Sequence, residues 1–287
     1  MSKRHTPVPF TGIFTSADLA SARLSRNVLV TWLRHHEVTE VAEGVYLPSD
    51  ITVTDAMRRV FRDRSTTLGH SPVSVAGAAE IHHLWTPPQV PDFHFRTNRK
   101  LPPPDDCVAR HGRLLVPTAA WTAVQLTRGQ SLAGALIPLD SALRLGVQLD
   151  ELREFARRLE GWSGTASLRL ALEHCTALSG SPLESYSRGG MVEHDVPAPV
   201  LQQEFRIRGQ RYFADFAWEF ANTIGEADGG DKYLEDGAIA AEKRRQGALH
   251  SIGLQVIRWG WPEVLRNPLA WVNGLKRALG SSHRGAA

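Results

Sequence analysis

The chain has 287 residues, 42% of them hydrophobic and 22% charged, with a formal net charge of +3. That length predicts two or three domains with sizeable cores, and the near-neutral balance of the whole chain does not by itself announce a nucleic-acid binder. Two cysteines, Cys107 and Cys175, exclude a disulfide framework and lack zinc-ligand spacing. No apolar leader and no run of membrane-spanning length is present, so the expectation is a cytoplasmic protein without a membrane partner.

The first segment, residues 1–50, begins with TSADLA, a capped short helix, after which Ser25 caps RNVLVTWLRHH. Val28, Leu29, Trp32 and Leu33 form one apolar stripe of that second helix. EVTEVAEGVYLP then alternates apolar and polar residues around Gly44, as a small hairpin does. Two short helices followed by a hairpin make a winged helix-turn-helix pattern. In that geometry Arg26, Asn27 and Arg34 reach a DNA groove. A wing used for protein contact, or a helical spacer, fits the same pattern, because fold alone does not fix function.

The second segment, residues 51–178, carries the basic excess: within 51–100, seven Lys and Arg stand against four Asp and Glu. All seven lie in RRVFRDR (Arg58 to Arg64) and FRTNRK (Phe95 to Lys100), stretches that hold phosphates or form solvated faces. FHFRT reads as a strand, and EIHHLW as another with His82 and His83 on opposite faces. PTAAWTAVQLTRG, SLAGALIPLDSALRLG, LDELREFARRLE and GTASLRLALEHC read as four helices separated by Gly or Pro. No catalytic grouping is visible here, and the segment reads as a mixed α/β and helical scaffold.

The third segment, residues 179–287, reads helix, three strands, helix, strand, helix. PLESYSR is the first helix, with Glu184 and Arg188 on one face. Two strands follow about a Gly209–Gln210 turn, and NTIGEADG is the third. EDGAIAAEKRRQGALHSIG is a helix, LQVIRW the fourth strand, and PEVLRNPLAWVNGLKRAL one closing helix.

Asp215, Glu226, Asp228 and Lys232 interrupt otherwise apolar strands, where an unpaired buried charge costs several kcal/mol. A turn centred between Phe220 and Ala221 sets Asp215 opposite Glu226, and Asp228 shares the face of Glu226. Something positive must offset these acids. Within the chain the candidates are Lys232 and Arg245, the latter in the middle of the apolar stripe of Ala238–Ile252, with Glu242 at its edge. A hard divalent ion such as Mg²⁺ is the other candidate, suited to Asp215 and Glu226. A structural network with Asp215–Arg245 and Glu226–Lys232 pairs remains open beside it.

Over roughly residues 180–280 the chain resembles the PD-(D/E)XK nuclease superfamily, in the branch of the very-short-patch-repair endonucleases. The resemblance rests on SPLES, ADFAW and GEADG, and on E-x-D-G-x-x-K-Y followed by EKRR…L…IG…VIRW. It implies a restriction-endonuclease-like α/β domain in which Glu184 is the helical acid, Asp215 the strand aspartate and Glu226 the following acid. Asp215 and Glu226 then bind one or two Mg²⁺ (or Mn²⁺) ions, Glu184 assists, and Lys232 stabilises developing charge, with Asp228, Glu242 and Arg245 in support. The family has lysine two residues after the second acid, and this chain has Asp228 there. Either Lys232 takes that place or the site is weakened.

The first two segments resemble the AbiEi-type antitoxins of abortive-infection systems. FTSADLASARLSRNVLVTWLRHHEVTEVAEGVYLP, TAAWTAVQL and PLDSAL carry that resemblance. It implies a winged-helix DNA-binding domain, operon repression and a cognate nucleotidyltransferase toxin as partner. The combined expectation is an α/β (α+β) multidomain protein that binds DNA and hydrolyses it with Mg²⁺. The alternative is an antitoxin-like regulator whose nuclease fold is inactive.

Overall fold

A computed structural model describes residues 6–10, 14–42, 45–50, 75–88, 104–111, 114–162, 164–229, 247, 249 and 251–281. Lys232, Glu242 and Arg245 lie outside these residues, as do the basic stretches Arg58 to Arg64 and Phe95 to Lys100 and the expected FHFRT strand. The protein is multidomain, with a helical amino-terminal region and a carboxy-terminal mixed sheet packed with helices. It divides into two compact units, Met1–Leu84 with Val90–Gln125, and Trp85–Gln89 with Leu126–Ala287. No helix among the described residues is long and apolar enough to cross a membrane.

In the first unit, β1 (Phe14–Thr15) leads into α1 (Ser16–Ser21) and α2 (Arg26–Arg34), followed by the hairpin β2 (Val38–Ala42) and β3 (Val45–Pro48). The Asp18 carboxylate accepts from the Thr15 backbone N–H at 2.7 Å and the Thr15 hydroxyl at 2.8 Å, which fixes the start of α1. The expected stripe of α2 is buried: Leu29 and Trp32 belong to a core with Phe14, Leu19, Val38 and Tyr46, and Val28 and Leu33 pack at its edge. The Trp32 indole N–H donates to the Thr6 carbonyl at 2.6 Å, so its polar end is satisfied inside that core. β3 is the middle strand of the order β1-β3-β2, with Phe14 opposite Tyr46 and Thr39 opposite Leu47.

Further along this unit lie α3 (Val75–Ile81), the hairpin β4 (Val108–His111) and β5 (Leu114–Pro117), and α4 (Ala119–Leu126). EIHHLW is therefore not a strand. It begins at the end of α3, and His82 lies in the following turn with its Nε2 hydrogen-bonded to the Pro117 carbonyl at 2.7 Å. A short apolar run with polar interruptions does not distinguish strand from helix end.

The second unit contains α5 (Leu132–Arg144), α6 (Leu149–Arg158), α7 (Leu168–His174), α8 (Pro182–Glu193), and the strands β6 (Val200–Ile207), β7 (Gln210–Trp218), β8 (Thr223–Ala227) and β9 (Gln255–Trp259). The closing helix is two helices, α9 (Trp261–Arg266) and α10 (Pro268–Ser281), because Pro268 cannot continue the first. The sheet order is β6-β7-β8-β9, antiparallel except for the parallel pair β8–β9. Arg208 (φ 50°) and Gly209 (φ 79°) form the β6–β7 turn, one residue earlier than the expected Gly209–Gln210, and both left-handed residues suit a type I′ loop.

Two apolar cores flank the sheet. Phe216, Trp218, Ala227 and Trp259 pack with Leu183 and Met191 of α8 and with Val272, Leu275 and Leu279 of α10. Ile207, Ala214, Ala217 and Ile224 pack with Leu249. Gly225 allows the first core to close: a Cβ there would lie 2.4 Å from the Trp259 ring and 3.1 Å from the Trp218 ring. Gly189 does the same for α8, since a Cβ would lie 2.4 Å from the Ala133 Cα on α5. The same helix pair is tied by Arg188 and Asp140, both buried, with Nη2 and Oδ2 2.6 Å apart. Asp140 also accepts from the Thr176 N–H and the Ser179 hydroxyl, so the buried charge is well satisfied. Helix α8 is thus held closely against α5, and it carries Glu184.

Candidate functional site

The expected β7–β8 register holds. Phe216 pairs with Gly225, Ala217 with Ile224 and Trp218 with Thr223, around a 3₁₀ turn over Glu219–Ala221 closed by left-handed Asn222. Continuing that register sets Asp215 opposite Glu226, but backbone pairing stops at Phe216. There the Asp215 carboxylate takes over, with Oδ2 accepting from the Ala227 N–H at 2.9 Å. An acid side chain thus replaces a ladder carbonyl where the two strands part.

Glu184 reaches the same place from the first turn of α8. Its Oε2 accepts from the Gly180 N–H at 2.7 Å and from the Gln202 amide at 2.9 Å, and that amide also donates to Asp215 Oδ1 at 3.3 Å. Helical acid and strand acid therefore meet across one side chain of β6. Burial, and then the nearby charge of Asp215, push the Glu184 carboxyl above the usual carboxylate range. The bonds from Gly180, Ser181 and Gln202 pull the other way.

Glu226 lies one step along the sheet and is buried at 5% exposure. Its Oε2 accepts from Arg258 Nε at 2.9 Å, the residue directly beside it in the parallel β8–β9 pairing. Asp228 continues that ladder by donating its N–H to the Trp259 carbonyl at 2.9 Å. Glu184 and Glu226 are buried and Asp215 is half-buried. Among the described residues, no group of three or more His, Cys, Asp or Glu side chains is arranged to hold a metal ion. Two carboxylates meet the smaller demand of Mg²⁺, which keeps several waters and takes other oxygens from substrate phosphates. By donor type alone, the oxygens of Asp215 and Glu226 are the ones that could hold a hard cation.

Sequence reasoning missed two residues of this cluster. Arg258 was visible in VIRW only as part of a strand, and nothing in the pattern fixes a parallel register. Gln202 carried no signal at all.

In the first unit, Arg26, Asn27 and Arg34 are all exposed on α2, opposite the buried Leu29 and Trp32. Val30 is also exposed, at 45%, and Thr31 donates its hydroxyl back to the Asn27 carbonyl at 2.9 Å. The helix thus presents two guanidinium groups, an amide and one apolar side chain to solvent.

Two curated proteins of Mycobacterium tuberculosis, from strains CDC 1551 and H37Rv and each described as uncharacterized, are 27% identical to this chain over 156 residues. The match covers 54% of this chain, and the chain spans 58% of the length of these relatives. No family model matches the sequence, and no solved structure matches it.

Proposed function

We propose that the chain is a DNA-binding protein whose carboxy-terminal region, residues 179–287, is a PD-(D/E)XK-like hydrolase of phosphodiesters that uses Mg²⁺. Residues 1–50 act as a winged helix that docks on DNA, and residues 51–178 serve as scaffold. The observation that supports the hydrolase most is the meeting of Glu184 and Asp215 at Gln202, with Glu226 next in register. An acid from a helix and two from adjacent strands is the arrangement the resemblance calls for. Asp215 and Glu226 would hold the ion, and Glu184 would orient water at its edge. A bound Mg²⁺ lowers the pKa of a coordinated water and offsets charge on the phosphate. Arg258, already beside Glu226, supplies a fixed positive charge in the neighbourhood where the family places its lysine. The test is cleavage of a plasmid with Mg²⁺ or Mn²⁺. The parent should cut, and Asp215→Ala and Glu226→Ala should each abolish cutting. An intact plasmid in both metals with the parent contradicts the proposal.

A second reading, a non-enzymatic antitoxin-like regulator, draws on a different observation. The exposed face of α2 suits major-groove reading, with Arg26 and Arg34 for phosphates or guanine, Asn27 for adenine and Val30 for a thymine methyl. Tight, salt-dependent binding to one promoter by a chain that cuts no DNA would favour this reading. Capture of a nucleotidyltransferase partner would then identify its toxin.

A further inference from the structure

Gln202 lies within a strand yet has φ 49°, the left-handed region that a non-glycine residue rarely adopts. The sheet changes sides at this level. Leu201 and its partner Phe216 pack against the α8–α10 core, whereas Ala214, two residues from Phe216 on the same strand, belongs to the opposite core. Alternation would put Ala214 and Phe216 on one face, so the strand pair is rotated between them with no change of register, since Leu201 pairs with Phe216 and Gln203 with Ala214. Strain at a single residue persists only when its surroundings over-determine it, and it gathers at functional positions.

The surroundings are two carboxylates. An amide nitrogen carries two hydrogens, and here one serves Glu184 Oε2 at 2.9 Å and the other Asp215 Oδ1 at 3.3 Å. The reverse orientation would set a carbonyl oxygen against both acids, so the chemistry fixes which end faces them. The amide thus bridges the two carboxylates with its N–H dipoles. A divalent ion held by Asp215 and Glu226 would compete with that amide for the Asp215 carboxylate, with two full charges in place of a dipole.

We propose that Gln202 is a positioning residue that stands in for a divalent cation, holding Glu184 and Asp215 together until the ion displaces its amide. This rests on the metal-dependent reading above. The strained backbone keeps the amide aimed at both acids, and arrival of the ion turns it away from at least one. The site is thereby assembled before metal binds, and metal affinity is lowered by the bonds it must displace.

The test is thermal unfolding of the full chain titrated with Mg²⁺ alone, for the parent, Gln202→Glu and Gln202→Gly. Glutamate removes the donors and adds a third carboxylate. Glycine removes the side chain while accepting the left-handed backbone without strain, so it decides the question even if the glutamate variant does not fold. The parent should show a Tm that rises with Mg²⁺. Q202E should be less stable without metal and reach half its rise at about tenfold lower Mg²⁺, because ligand charge sets affinity. Q202G should also respond at lower Mg²⁺ than the parent. Identical Mg²⁺ dependence in all three proteins overturns the role of Gln202 and leaves the metal-dependent reading standing. A parent Tm indifferent to Mg²⁺ overturns both.

Discussion

The amino-terminal helix pair and the carboxy-terminal acid cluster handle their polar side chains in opposite ways. Arg26, Asn27 and Arg34 project into solvent from a helix whose other face is anchored by Trp32 and Leu29. Glu184, Asp215 and Glu226 are instead built into the packed sheet region, with backbone groups and Gln202 holding oxygens of the first two and Arg258 an oxygen of the third. In the first region the face proposed to recognise DNA and the face that confers stability are different, so each can change without the other. In the second they share the same atoms. A change there probes the fold and the proposed chemistry at once, and its direction reveals which of the two the acids serve.

The sharpest way to break this comparison is at the anchor of the first region. Trp32→Ala removes a fully buried ring and its hydrogen bond to Thr6, and should cost about 3–5 kcal/mol in denaturant unfolding. If recognition and core were not separable, Arg34→Ala would show a comparable loss. Next in size is Gly225→Ala, which drives a methyl into the Trp259 and Trp218 rings and should cost about 1–3 kcal/mol. A neutral result would show that the aromatic layer under the acids is loosely packed.

A smaller effect tests the acids themselves. Burial and the Asp215 charge raise the Glu184 carboxyl, so the folded state favours its protonated form. A raised folded pKa contributes stability that is complete below the unfolded value, about 4.3, and is lost as the pH climbs through the folded value. Glu184→Gln has no proton to lose there. Its Tm relative to the parent should therefore become more favourable from about pH 4 to pH 8. A constant difference across that range would mean the Glu184 environment is ordinary. Smallest in stability is Arg34→Ala, expected within about 0.5 kcal/mol of the parent. It should nonetheless reduce the salt slope of DNA binding by about one unit if Arg34 contacts a phosphate.

Much of the architecture was legible because period and punctuation carry it. The α2 stripe follows the helical repeat, and the Phe220–Ala221 turn centre follows from the lengths of the flanking apolar runs. The four helices from Ala119 to His174 follow from Gly and Pro boundaries. The acids could be singled out because charge on an apolar strand is costly. What escaped depends on long-range geometry. Glu226 and Arg258 lie 32 residues apart, and only a parallel pairing makes them neighbours. Gln202 bends a strand through a conformation its side chain does not favour, which no propensity anticipates. His82 followed a helix end rather than a strand, because a short run fits both periods.

The central claim is that Asp215 serves a cation rather than the stability of the fold, and Asp215→Asn tests it directly. Asparagine keeps an oxygen for the Ala227 N–H while removing the charge. Calorimetric titration with Mn²⁺, paired with denaturant unfolding in its absence, should show binding by the parent, none by the variant, and metal-free stability in the variant equal to or above the parent's. A parent that binds no Mn²⁺, with the variant less stable by roughly 3–5 kcal/mol as for one broken half of a buried ion pair, would contradict the account.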